Sequence, residues 1–92
     1  MEQILIESLK EMDDVNIIDI RDQEKYNKNH ILKAINIPKD VLMNSPETYL
    51  SKDSKYYIYC EIGLLSREVC TKLTEYNLVN CIGGYKRWVE TC

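Results

Sequence analysis

Apolar positions in this chain come in short runs, and the runs alternate between the spacing of a strand and that of a helix. Residues 4–6 read as a short strand, after which Ser8 is placed to cap a helix carrying Leu9 and Met12 on one side. Val15, Ile17, Ile18 and Ile20 leave little room for a wet face, so residues 15–20 predict a buried strand. A short helix follows over 23–28, then a brief strand over 34–37 that Pro38 stops. Between 39 and 53 the pattern weakens to one helical turn at Val41, Leu42 and Met43 ahead of Ser45 and Pro46. The aromatic and β-branched run 56–59 predicts another strand. Leu65, Val69, Leu73 and Tyr76 then fall on one helical stripe, with Cys70 beside it, and Asn77 ends that helix. Residues 79–82 predict the last strand, and Gly83-Gly84 opens a final helix containing Trp88 and Val89.

Strands alternating with helices over short connections predict an α/β fold, a mostly parallel sheet with helices on both faces, built as one domain over residues 1–92. In open sheets of this kind ligands collect beyond the carboxyl ends of the strands.

Composition narrows the function classes. An apolar share of 45% with 29% charged residues is that of a globular protein with a single core. The net charge of −3, without a run of lysines or arginines, argues against nucleic acid and anionic membrane surfaces as partners. The acidic start, residues 1–14, lacks the basic flank and apolar run of an export signal, and no stretch is long enough to cross a membrane. A cytoplasmic setting is expected, with Cys60, Cys70, Cys81 and Cys92 as reduced thiols rather than two disulfides. With no C-x-x-C pair and His30 as the only histidine, neither a metal site nor a cofactor is expected.

The chemistry centres on Cys60, which ends the strand over 56–59 and precedes a short loop and a helix. The first N–H groups of a helix lack intrahelical partners and carry partial positive charge, so a thiolate placed there is stabilised. Cys60 is thus a candidate nucleophile; the competing reading is a small buried residue closing a core strand.

Three segments together resemble the rhodanese-like family of sulfurtransferase domains. Asp19-Ile20-Arg21, Glu24, Tyr26, His30-Ile31, Ala34 and Asn36-Ile37-Pro38 are similar to its D-x-R…E-x-Y-x-x-x-H-I-x-x-A-x-N-I-P segment. The strand and Cys60-Glu61-Ile62-Gly63 resemble the active-site strand and its C-x-x-G loop, and Gly83-Gly84-Tyr85-Lys86-Arg87-Trp88 resembles the G-G-x-x-x-W near the carboxyl end. The resemblance implies that Cys60 is a sulfur carrier: its thiolate attacks the outer sulfur of a donor such as thiosulfate, holds it as a persulfide and passes it to a thiol or cyanide. Glu61, Ile62, Gly63, Leu64, Leu65 and Ser66 are then the substrate-binding candidates.

This chain departs from the pattern at three places. Leu65 stands where the usual C-x-x-G-x-R loop has arginine, and Arg67 points roughly 200° away around a helix. Glu61 adds negative charge beside Cys60, which opposes a thiolate and repels anionic donors. Thiosulfate is therefore expected to be a poor donor, and a small thiol persulfide or a persulfide-bearing protein the better partner, with Leu64 as an apolar contact. Leu32-Lys33 replaces a common proline and glycine, which strains Lys33 if the turn needs a positive φ.

Other residues have plainer readings. His30 is expected to bond or pack rather than act as a base; Asp19, Arg21 and Glu24 to form an ion-pair network; Trp88 to anchor the core; Tyr85, which follows the double glycine, to pack on the surface rather than border the pocket; Cys70 and Cys81 to be core. Cys92 is read either as a thiol able to resolve a persulfide or as an ordinary frayed end. Two rivals to the transferase remain: a binding module that kept the fold without turnover, and a phosphatase or arsenate reductase, for which Ser66 stands where an arginine is needed.

Overall fold

The computed structural model describes residues 1–91, so the readings of Cys92 lie outside the described residues. Five strands form one sheet in the order β1-β5-β4-β2-β3: β1 (Glu2–Leu5), β2 (Asn16–Asp19), β3 (Ile35–Asn36), β4 (Lys55–Tyr59) and β5 (Asn77–Ile82). Every pairing is parallel. A 3-10 helix (Ile6–Glu11) follows β1, and the other helices are α1 (Gln23–Lys28), α2 (Lys39–Asn44), α3 (Pro46–Tyr49), α4 (Leu64–Lys72) and α5 (Gly84–Glu90).

Side chains alternate across β4, and this divides the core in two. Ile58 and Cys60 face the layer that includes Leu42, Leu50, Val69 and Cys70, whereas Tyr57 and Tyr59 face Ile6, Leu9, Val79 and Cys81. Helices therefore cover both faces, as expected of a sheet buried on two sides. Ile58 is fully buried, and removing such a side chain from water contributes about 1.5 to 3 kcal/mol.

Several boundaries differ from the sequence reading. Ser8 does not cap a helix: the turn begins two residues earlier and has no side-chain cap. The strand expected over 34–37 shrinks to β3, because Ala34 closes a turn onto the Ile31 carbonyl. The weak stretch after Lys39 contains α2 and α3, each too short for a periodic signal; Leu42 and Leu50 tie this stretch to the core. Asn77 begins β5 instead of ending a helix, since α4 stops at Lys72.

Leu65 is a further correction. The buried side of α4 is Ser66, Val69 and Cys70, with Leu73 packed against the same cluster, while Leu65 is half exposed. The stripe is turned by one residue because Ser66, though polar, has buried partners to receive it.

Lys33 has φ +74°, so the condition left open for this turn is met and a non-glycine residue sits in left-handed backbone.

Candidate active site

From β2 the chain crosses outward to β3, and from β4 it crosses the other way to β5. The crevice at the carboxyl ends of β2 and β4 is thus the switch point of this sheet, where open α/β folds bind ligands. Cys60 follows β4 directly at that end.

The loop after Cys60 wraps its sulfur. The N–H groups of Gly63 and Ser66 both donate to Cys60 Sγ, at 3.1 and 3.3 Å. Leu64 and Leu65 supply two more N–H groups at the start of α4 that no carbonyl of their own helix can reach. Cys60 is only 2% exposed, which fits its reading as a buried strand end as well as that of a held nucleophile.

Glycine is required twice in this wrapping. Gly63 adopts φ +93°, and a Cβ there would lie 2.9 Å from the Gly83 backbone nitrogen. A Cβ on Gly84 would meet the Cys60 carbonyl oxygen at 2.6 Å. That close approach lets Tyr85 and Lys86, at the start of α5, donate their N–H groups to the carbonyls of Cys60 and Glu61, at 2.9 and 3.0 Å. With those carbonyls engaged by α5, the amides further along the loop are left to face the sulfur.

Beneath the sulfur lies a polar chain that was not foreseen. The Cys60 thiol donates to Ser66 Oγ at 3.4 Å, and Ser66 Oγ donates to Asn80 Oδ1 at 2.6 Å. Asn80 Nδ2 in turn donates to Gln3 Oε1 at 3.1 Å, across the β1–β5 register. The available signal was a lone asparagine inside an otherwise apolar strand. Ser66, where a phosphatase would need arginine, is committed to this chain.

Glu61 does not stand as a bare charge beside Cys60. Its carboxylate is 3.3 Å from Arg21 Nη1, and Arg21 also grips Asp19 with Nε and Nη2 and donates to the Asn29 carbonyl at 2.6 Å. Burial opposes the Arg21 charge, but the bonds from Asp19 and then Glu61 outweigh it and hold the guanidinium firmly protonated. The expected network therefore exists without Glu24, which instead faces Lys28 at 3.8 Å in solvent. Asn36 ties the turn down by donating to the carbonyls of Asp19 and Arg21, both at 3.0 Å.

The remaining candidates divide plainly. Ile62, Leu64 and Leu65 are exposed around the loop and leave it an apolar lip, without the usual arginine. His30 is exposed, stacks on Tyr26 with ring centroids 3.7 Å apart and bonds the Tyr26 carbonyl through Nδ1, a packing role. Trp88 packs against the core and lies under Lys10 Nζ at 5.0 Å. Tyr85 stacks on Tyr59 and lies 4.2 Å from the Arg21 guanidinium, closer to the site than its surface reading implied. Burial pushes the Cys70 and Cys81 thiols up to about 12, so both stay uncharged and inert. Among the described residues no cluster suits a metal ion, and no helix is long and apolar enough to cross a membrane.

A parallel sheet with a cysteine cradled by loop amides at its switch point defines an α/β domain built around one loop-held thiol. The particular family follows from comparison: the Rhodanese-like domain model matches residues 4–91, and the chain belongs to that family. A thiosulfate sulfurtransferase, GlpE, of Coxiella burnetii is 31% identical over 78 residues, which cover 82% of this chain and 72% of that protein. Among solved structures, a rhodanese-like domain protein from Staphylococcus aureus superimposes with a TM-score of 0.85 at 31% identity, covering 96% of this chain and 91% of the other. A rhodanese-related protein from Thermoplasma volcanium gives 0.89 at 26% identity, covering 99% and 93%.

Proposed function

We propose that this protein is a sulfurtransferase that carries sulfane sulfur as a persulfide on Cys60. The observation supporting this most directly is the convergence of the Gly63 and Ser66 amides on Cys60 Sγ. N–H donors fixed before reaction stabilise a negatively charged sulfur without reorganising, and the same loop offers the Leu64 and Leu65 amides to a second sulfur atom. The thiolate attacks the outer sulfur of the donor, the donor's bond to that sulfur breaks, and its electron pair departs with the rest of the donor. A thiol or cyanide then takes the outer sulfur and the Cys60 thiolate returns. The likeness to the thiosulfate sulfurtransferase of Coxiella supports the same chemistry.

Thiosulfate is the weaker donor in this reading, because the apolar lip of Ile62, Leu64 and Leu65 offers its oxyanion no cation. Intact mass of wild type and Cys60→Ser after treatment with thiosulfate and with thiol persulfides tests the reading. One added sulfur atom confined to the wild type, released as thiocyanate by cyanide, is expected.

The near-complete burial of Cys60 favours one second reading, a binding module without turnover. Failure of every donor to load sulfur would establish it in place of the first.

A further inference from the structure

Arg21, Lys25, Lys28, Asn29, Glu61 and Tyr85 line an open groove of about 310 Å³. Two of these residues place it at the switch point: Asp19 and Tyr59 are register partners, and Arg21 and Glu61 each lie two residues beyond them. The groove wall therefore begins one residue from Cys60. Its volume is at the lower end of small-molecule pockets.

The charge there runs against that of the chain. Overall the protein is −3, and Arg21 is taken up by Asp19 and Glu61, yet the groove still presents the two lysines of α1, Lys25 and Lys28. Lys25 and Lys28 are three residues apart in α1, hence on one side of it. Lys25 has no carboxylate within ion-pair distance among the described residues. Lys28 meets only Glu24, at 3.8 Å with both ends in solvent, a contact worth little. Glu61 is drawn back onto Arg21, which leaves the lysines to an incoming anion. Tyr85 closes one side with its ring against the guanidinium.

We infer that this groove is an anion subsite for the organic part of the sulfur donor, and that the donor is the persulfide of a small acidic thiol whose carboxylates rest between Lys25 and Lys28. This rests on Cys60 being the sulfur carrier. The cation that Leu65 removes from the loop is thus supplied from α1, further from the sulfur, where it selects the tail of the donor and not the transferred atom. The step balances without an oxidant: the Cys60 thiolate attacks the outer sulfur of R–S–SH, the S–S bond of the donor breaks, R–S⁻ leaves with the electron pair, and Cys60–S–SH remains.

Two capped tripeptide persulfides, Glu-Cys-Glu and its uncharged counterpart Gln-Cys-Gln, differ only in charge and isolate the effect. The wild type is expected to load sulfur from the acidic donor with a KM about fivefold to twentyfold lower than from the neutral one at low salt, the preference fading as salt screens it. In Lys25→Glu/Lys28→Glu the ratio of the two KM values should invert, whereas Lys25→Arg/Lys28→Arg should keep it. Binding of the sulfur-free peptide Glu-Ala-Glu, followed by calorimetry, should track the same variants and needs no turnover. Equal KM values for the two donors, or a preference that survives charge reversal, would overturn the subsite. Competition by a long acidic peptide at a hundredfold lower concentration than Glu-Ala-Glu would overturn the small donor in favour of an acidic protein. If no donor loads Cys60, the sulfur-carrier reading fails, and calorimetry still decides whether the groove binds anions.

Discussion

Replacing Gly63 with alanine puts the cradle to a quantitative test. Two costs follow from the structure. At φ +93° a side chain sits in left-handed backbone, which costs roughly 1 to 2 kcal/mol for a residue with a Cβ. The new Cβ also lies 2.9 Å from the Gly83 nitrogen, a backbone atom that cannot swing aside as a side-chain tip would. Together these give a loss of roughly 2 to 3 kcal/mol out of the roughly 5 to 15 kcal/mol expected of a domain this size. In a thermal melt that is a fall in Tm of roughly 10 to 20 °C. The shift needed to relieve the contact also draws the Gly63 amide away from Cys60 Sγ. A hydrogen bond to a charged group contributes roughly 1.5 kcal/mol or more, so alkylation of Cys60 by iodoacetamide at neutral pH should slow about tenfold. Labelling followed by peptide mapping separates Cys60 from the inert Cys70 and Cys81. A melting temperature within a degree of wild type would refute the steric reasoning. A destabilised variant whose Cys60 reacts at the wild-type rate would refute the claim that this amide holds the thiolate.

Two other consequences are checked more simply. Lys33→Gly relieves the left-handed strain and adds freedom to the unfolded chain; relief is the larger effect, so the variant should be more stable by roughly 0.5 to 1 kcal/mol in urea, and an unchanged or lower midpoint would contradict it. Glu7 and Arg87 join the 3-10 helix to α5 through bonds of 2.8 and 2.7 Å, and the Arg87 hydrogen bond holds the Glu7 carboxyl down at about 2, from an ordinary 4.5. A lowered carboxyl contributes stability that is present above 4.5 and lost as pH falls through about 2, so acid should loosen α5 in that window. Trp88 fluorescence reports it, and Glu7→Gln should remove that pH dependence; a transition persisting in the variant would assign it to another group.

Much of the site was legible because its parts are near one another in sequence. The strand ending at Cys60, the glycine three residues on and the helix that follows are local features, read from side-chain period and backbone need. The groove illustrates the opposite case. No run of basic residues marks it in the sequence, since Arg21, Lys25 and Lys28 are spread over α1 and the turn before it and meet Glu61 only across the β2–β4 register. The placement of Leu65 failed for a related reason: hydrophobicity alone ranks leucine above serine for a buried position, and the short bond to the distant Asn80, with the Cys60 thiol beside it, makes Ser66 acceptable there.

By itself the sequence determined the alternation of strands with helices outside the stretch after Lys39, the fold class and the cysteine at a strand-to-helix turn, because backbone preferences and side-chain periodicity act over a few residues. Tertiary structure alone decided where charge and polarity go: Glu61 onto Arg21, Ser66 onto Asn80, and the carbonyls of Cys60 and Glu61 onto α5. Those pairings join residues 14 to 40 positions apart, and buried polar groups must find partners wherever the folded chain brings them.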